Sequence, residues 1–134
     1  MKLSTRSRYG TRILVELASQ TTAGPMPVSR ISRNQGIPVK YMEQLIRKLK
    51  SAGLIASVRG ARGGHSLARD AASISLGEIV RLFEGQPELV ECVSSPKVCG
   101  KADSCQVRIA WKTATEALFK ELDNVSIADL ACKD

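Results

Sequence analysis

The 134-residue chain is short of aromatic residues, with five, and of histidine, with one; its first 69 positions are also short of acidic side chains. No apolar run approaches the ~20 residues that a membrane-spanning helix needs. The start, Met1-Lys2-Leu3-Ser4-Thr5-Arg6, has no apolar stretch after its charge, as a secretion signal would. A cytoplasmic protein with no membrane partner is therefore expected. The single histidine, His65, is remote in sequence from every cysteine, so an enzyme built on a nucleophilic cysteine would lack its base, and no enzyme is expected. Gly60-Ala61-Arg62-Gly63-Gly64 has neither Gly-Lys-Ser/Thr nor a following helix start, which argues against a nucleoside triphosphate site. Global disorder is excluded by a composition of 43% hydrophobic and 25% charged residues.

What is present is positive charge, unevenly spread. Residues 1–69 hold 13 basic side chains against Glu16 and Glu43, a net of +11, while residues 70–134 hold seven basic against 11 acidic, a net of −4. A basic half joined to an acidic half suits a polyanion-binding surface attached to a part that avoids it, and nucleic acid is the first candidate.

Periodicity gives the first half its elements. From Ser4 as N-cap, Tyr9, Ile13, Leu14, Leu17 and Ala18 recur at helical spacing. Gly24, Pro25 and Pro27 stop that helix; a short one runs from Val28 or Ser29 to Gln35, and Gly36 ends it. Pro38, read as a first-turn proline, opens a third helix with Met42, Leu45, Ile46 and Leu49 as its buried stripe. Runs 54–58 and 65–69 then flank a glycine-rich tip with two arginines, which predicts a β-hairpin.

Three helices and a basic hairpin are the order of a winged helix-turn-helix, whose third helix enters the major groove while the wing reaches adjacent phosphates or the minor groove. The candidate DNA-binding residues are Lys40, Tyr41, Glu43, Gln44, Arg47 and Lys48 on the helix, with Ser57, Arg59 and Arg62 on the hairpin. Gln44 can bond adenine in two places, Arg47 or Lys40 can meet guanine or phosphate, and Glu43 can accept from cytosine or simply face solvent.

In the second half, Ser75-Leu76-Gly77-Glu78 is a capping box leading into Ile79, Val80 and Phe83. A longer helix is expected from about Gln106 to Leu122, striped by Val107, Trp111, Ala114, Leu118 and Leu122, and Ser126 opens a short last one. So long a striped helix has little of its own chain to pack on, which predicts a two-fold homodimer on a near-palindromic operator in double-stranded DNA. The expected fold is thus mainly α: a winged helix-turn-helix DNA-binding region over 1–70, then a cysteine loop and a long C-terminal dimerisation helix over 71–134.

Cys92, Cys99 and Cys105 form a C-x6-C-x5-C cluster between the two C-terminal helices, and Cys132 stands apart. Their gaps are wider than the C-x2-4-C pairs of zinc sites, whereas thiolates spaced along a loop can hold an iron-sulfur cluster, which takes four ligands. The three are candidate metal and cofactor ligands, and Lys97 and Lys101 favour thiolate character beside them. Asp103, Cys132, a carboxylate of a partner subunit or an exogenous ligand remain open as the fourth; His65, on the wing, is a poor one.

Lys2-Leu3-Ser4-Thr5-Arg6-Ser7-Arg8-Tyr9-Gly10, Ile37 to Leu45, Ala52-Gly53-Leu54-Ile55, Ser57 to Gly64 and the three-cysteine loop together resemble a bacterial winged-helix regulator family. That family includes the iron-sulfur cluster regulator IscR, the nitric-oxide sensor NsrR and the cysteine-metabolism repressor CymR. The resemblance implies a dimeric transcription factor, generally a repressor, sensing iron-sulfur, redox or nitrosative status through a cluster, 2Fe-2S before 4Fe-4S. A CymR-like alternative is a cluster-free regulator of sulfur or cysteine metabolism controlled by a partner protein. The histidine ligand of IscR-like members corresponds to Arg108 here, the aspartate ligand of NsrR-like members to Arg8, and the usual wing tyrosine to His65. The first cysteine gap is one residue longer than the usual one.

Overall fold

A computed structural model describes residues 2–21, 23–85 and 87–131. Helix α1, Thr5–Ser19, is capped by Ser4, whose hydroxyl accepts from the Ser7 amide. It buries Ile13, Leu14 and Leu17 as its spacing predicts, but Ser7 and Gly10 are buried beside them and Tyr9 and Ala18 only partly, because the stripe also faces the helix after the wing. Helix α2, Val28–Gln35, ends at Gly36, whose φ of 66° is the left-handed conformation that glycine takes without strain. Helix α3, Val39–Ser51, begins one residue later than expected. Pro38 is extended, with ψ at 139°, and caps the helix instead of joining its first turn.

Strands β1, Ile55–Val58, and β2, Gly64–Leu67, pair antiparallel with Ser57 opposite His65. The hairpin is shorter than expected, though Ala68 still donates to the Leu54 carbonyl at 3.0 Å. At its base the His65 and Met26 backbones exchange two hydrogen bonds of 2.8 Å, fixing the wing to the segment before α2. A side chain at Gly64 would overlap the Met26 carbonyl, so this close approach depends on glycine.

Helix α4, Leu76–Glu84, starts at Ser75, which accepts from the Glu78 amide. Short 3-10 turns cover Glu91–Val93, Pro96–Val98 and Ala102–Ser104 in the cysteine segment. Helix α5, Gln106–Asp123, and helix α6, Ile127–Ala131, are the last described elements. Helix α6 folds back onto α1, and Ile127 donates to the Ile74 carbonyl at 2.8 Å. Ile74, Ile79 and Ile127 are fully buried in the same core as Ile13, Leu14, Ile31 and Leu45, so one hydrophobic cluster draws on both sides of position 70. Each such side chain contributes about 1.5–3 kcal/mol by leaving water.

The fold is the mainly helical winged helix-turn-helix that the sequence predicts. Helix α5 stands largely outside its core. Only Phe119 is buried on it, under the Arg81 guanidinium at 4.5 Å, and Arg81 also pairs with Asp123. Among the described residues no helix is long and apolar enough to cross a membrane.

Candidate nucleic-acid interface and cysteine segment

Burial of Met42, Leu45, Ile46 and Leu49 turns the other side of α3 outward. Lys40, Glu43, Gln44, Arg47 and Lys48 are all exposed there. Tyr41 differs: it is half-buried and packs edge-on against Tyr9, ring centroids 6.1 Å apart, with Arg12 over the other ring at 5.4 Å. Arg47 borders two depressions. One, of about 390 Å³, runs along α3 past Gln44 and Lys48. The other, of about 560 Å³, separates α3 from the wing.

That second cleft has Glu43, Arg47 and Lys50 on its helix wall and Ser57, Arg59 and His65 on its wing wall. The Ser57 hydroxyl is hydrogen-bonded to His65 Nδ1 at 2.8 Å. Burial, and then the nearby Lys50 charge, push the His65 pKa below its ordinary 6.5, with Glu43 pulling the other way. Arg59 and Arg62 are exposed at the hairpin tip. Lys50 and His65 are absent from the sequence-derived set. The hairpin register, which sets His65 across from Ser57, is the signal that could have found the second of them.

The cysteine segment is tied down by an arginine. Cys105 caps α5, its Sγ accepting from the Arg108 amide at 3.4 Å. Arg108 Nε donates to the Cys92 carbonyl at 2.7 Å and Nη2 to that of Val93 at 3.3 Å. Cys92 and Cys105 are half-buried, Cys99 is exposed, and all three are free thiols. Thiolates are donors that iron accepts. Yet among the described residues no three His, Cys, Asp or Glu side chains are gathered as a metal site, so the expected ligand trio Cys92, Cys99 and Cys105 is not brought together. Among the described residues no fourth donor is gathered with them either: Asp103 is exposed in its own turn and His65 is hydrogen-bonded to Ser57 on the wing, while Cys132 lies outside the described residues. At position 108, where the family resemblance implies a histidine ligand, a cation spends its donors on backbone carbonyls.

Residues 3–133 match the profile of the Rrf2 family, described as iron-dependent transcriptional regulators. Protein rrf2 of Nitratidesulfovibrio vulgaris is 42% identical over 130 residues, spanning 97% of this chain and 87% of the relative. The HTH-type transcriptional regulator IscR of Escherichia coli is 33% identical over 130 residues, spanning 97% and 80%. Among solved structures, CymR of B. subtilis, described as the global cysteine regulator, superposes with a TM-score of 0.80 at 34% identity, covering 100% of this chain and 99% of that one. The IscR of T. potens gives 0.77 at 32% identity, covering 97% and 85%.

Proposed function

The chain belongs to the Rrf2 family of transcriptional regulators, and from that premise we propose that it is a sequence-specific DNA-binding repressor acting as a homodimer. It is a regulator and not an enzyme. The observation that carries the reading is the outer face of α3 together with the wing. Lys40, Gln44, Arg47, Lys48, Arg59 and Arg62 are exposed, and among the described residues no hydrogen bond or ion pair engages their side chains. Free cations and an amide on a helix of groove-fitting size are what phosphate and base-edge contacts require. Residues 1–70 would hold DNA, and residues 71–134 would dimerise and receive the signal in the cytoplasm. A second copy covering α5 would set two wings and two α3 helices on a near-palindromic site.

The signal is proposed to enter through the segment that carries Cys92, Cys99 and Cys105, whose last cysteine caps α5. The family's description as iron-dependent favours an iron-sulfur cluster there. Arg108 favours the second reading, a cluster-free regulator controlled by a partner, because its hold on the Cys92 and Val93 carbonyls orders the segment without metal. Gln44→Ala and Arg59→Ala should each weaken operator binding by about 1–3 kcal/mol, Gln44→Ala with relaxed sequence choice, while leaving the dimer intact. Wild-type affinity in both variants would overturn the surface assignment. Iron and sulfide in anaerobically purified protein, with a visible absorbance band, would select the cluster reading; colourless protein that still represses would select the other.

A further inference from the structure

We propose that the cleft between α3 and the wing seats one DNA backbone phosphate, and that His65 and Lys50 hold it together with Arg47 and Arg59. The inference rests on the DNA-binding reading and adds two contacts and a proton to it. A helix in the major groove and a wing in the adjacent minor groove are separated by one strand's backbone. That backbone must pass over the gap between the two elements, and here the gap is the cleft of about 560 Å³.

Its walls suit the task. Lys50, on the last turn of α3, is exposed and has no carboxylate partner among the described residues. His65 uses Nδ1 on Ser57, so Nε2 is the ring nitrogen left for an occupant. When the Ser57 hydroxyl donates to Nδ1, Nε2 carries the hydrogen and can donate to a phosphate oxygen. Glycines 63 and 64 add no side chain to the wing wall. The charged and titratable groups lining the cleft with the imidazole are Glu43, Arg47 and Lys50 from α3 and Arg59 from the wing; Pro27, before α2, and Val28, its first residue, add none. Three cations against one carboxylate leave the cleft attractive to an anion before DNA arrives.

The proton follows from the same geometry. In the free protein burial and Lys50 disfavour the imidazolium. A phosphate at Nε2 reverses that preference, so DNA binding takes up a proton wherever the pH lies between the free and bound pKa values. Affinity therefore rises as pH falls through the bound value and levels off below the free one, which lies under 6.5.

The test uses the full chain and a fluorescent duplex drawn from a random-sequence pool, since phosphate contacts act on any sequence. From about pH 8 to pH 6, wild-type affinity should rise roughly three- to tenfold, and His65→Gln should remove most of that rise. Lys50→Gln should lower the slope of log affinity against log salt by about 0.9, the effect of one phosphate contact. His65→Gln with the full pH response, or Lys50→Gln with the wild-type salt slope, while the wild type binds duplex with steep salt dependence, overturns this inference alone. A wild type that binds no duplex at low salt removes the DNA reading and this contact with it.

Discussion

The Glu84 carboxylate accepts from the Ser4 amide at 2.8 Å and from the Ser7 hydroxyl at 2.6 Å, so the start of α1 hangs on one side chain at the end of α4. Bonds from Ser4 first and Ser7 second hold the Glu84 pKa below its ordinary 4.5, because both favour the ionised form. A carboxyl depressed on folding contributes stability that is present above the unfolded value and is lost as pH falls through the folded one. Ser7 is also 1% exposed, so its hydroxyl has no water to turn to. Ser7→Ala should lower stability by about 1–3 kcal/mol at neutral pH and by less at an acid pH below the folded Glu84 value, where the carboxyl is protonated. Urea unfolding at the two pH values checks this; equal losses at both would mean that the hydroxyl serves packing and not the carboxylate.

Helices α1 and α4 cross where Gly10 meets Phe83, and a side chain at Gly10 would overlap the Phe83 ring. Gly10→Ala gains up to about 1 kcal/mol of helix propensity but overpacks the crossing, which costs about 1–3 kcal/mol. The expected result is a lower Tm, partly restored by Phe83→Leu in the same chain; a raised Tm would show that the crossing relaxes freely. Elements of this kind divide what the sequence discloses from what it does not. Caps at Ser4 and Ser75, the Gly36 stop and the Met42-to-Leu49 stripe are local signals, each acting within about two helical turns, and α1 to α4 stand close to where those signals put them. The clasp of Glu84 on Ser4 and Ser7, the return of α6 onto α1 and the Met26–His65 pairing join residues tens of positions apart, for which no local pattern exists. The site divides in the same way. Exposed cations on α3 follow from its apolar stripe, whereas the hold of Arg108 on Cys92 depends on how three short 3-10 turns fold the loop back.

For the molecule as a whole, the charge division and the bare face of α5 bear on each other. Val107 and Trp111, one turn apart on α5, are 59% and 42% exposed, an apolar surface on the acidic half that this chain leaves uncovered, while the basic half carries the unpaired cations. Covering that face with a second copy would bury it and would link two basic halves, so that each binding event raises the effective concentration of the other. Trp111→Glu puts a charge into such a seam without touching the winged helix, whose core lies elsewhere. The variant should remain folded by circular dichroism, sediment as a monomer and lose roughly 10²-fold or more in operator affinity. Its slope of log affinity against log salt should fall to about half the wild-type value, because one protomer neutralises half as many phosphates. Those two readouts separate a lost partner from a damaged DNA surface, since damage to the surface would lower affinity while the dimer persisted. A Trp111→Glu protein that stays dimeric and binds operator as the wild type does would place the seam somewhere other than the start of α5.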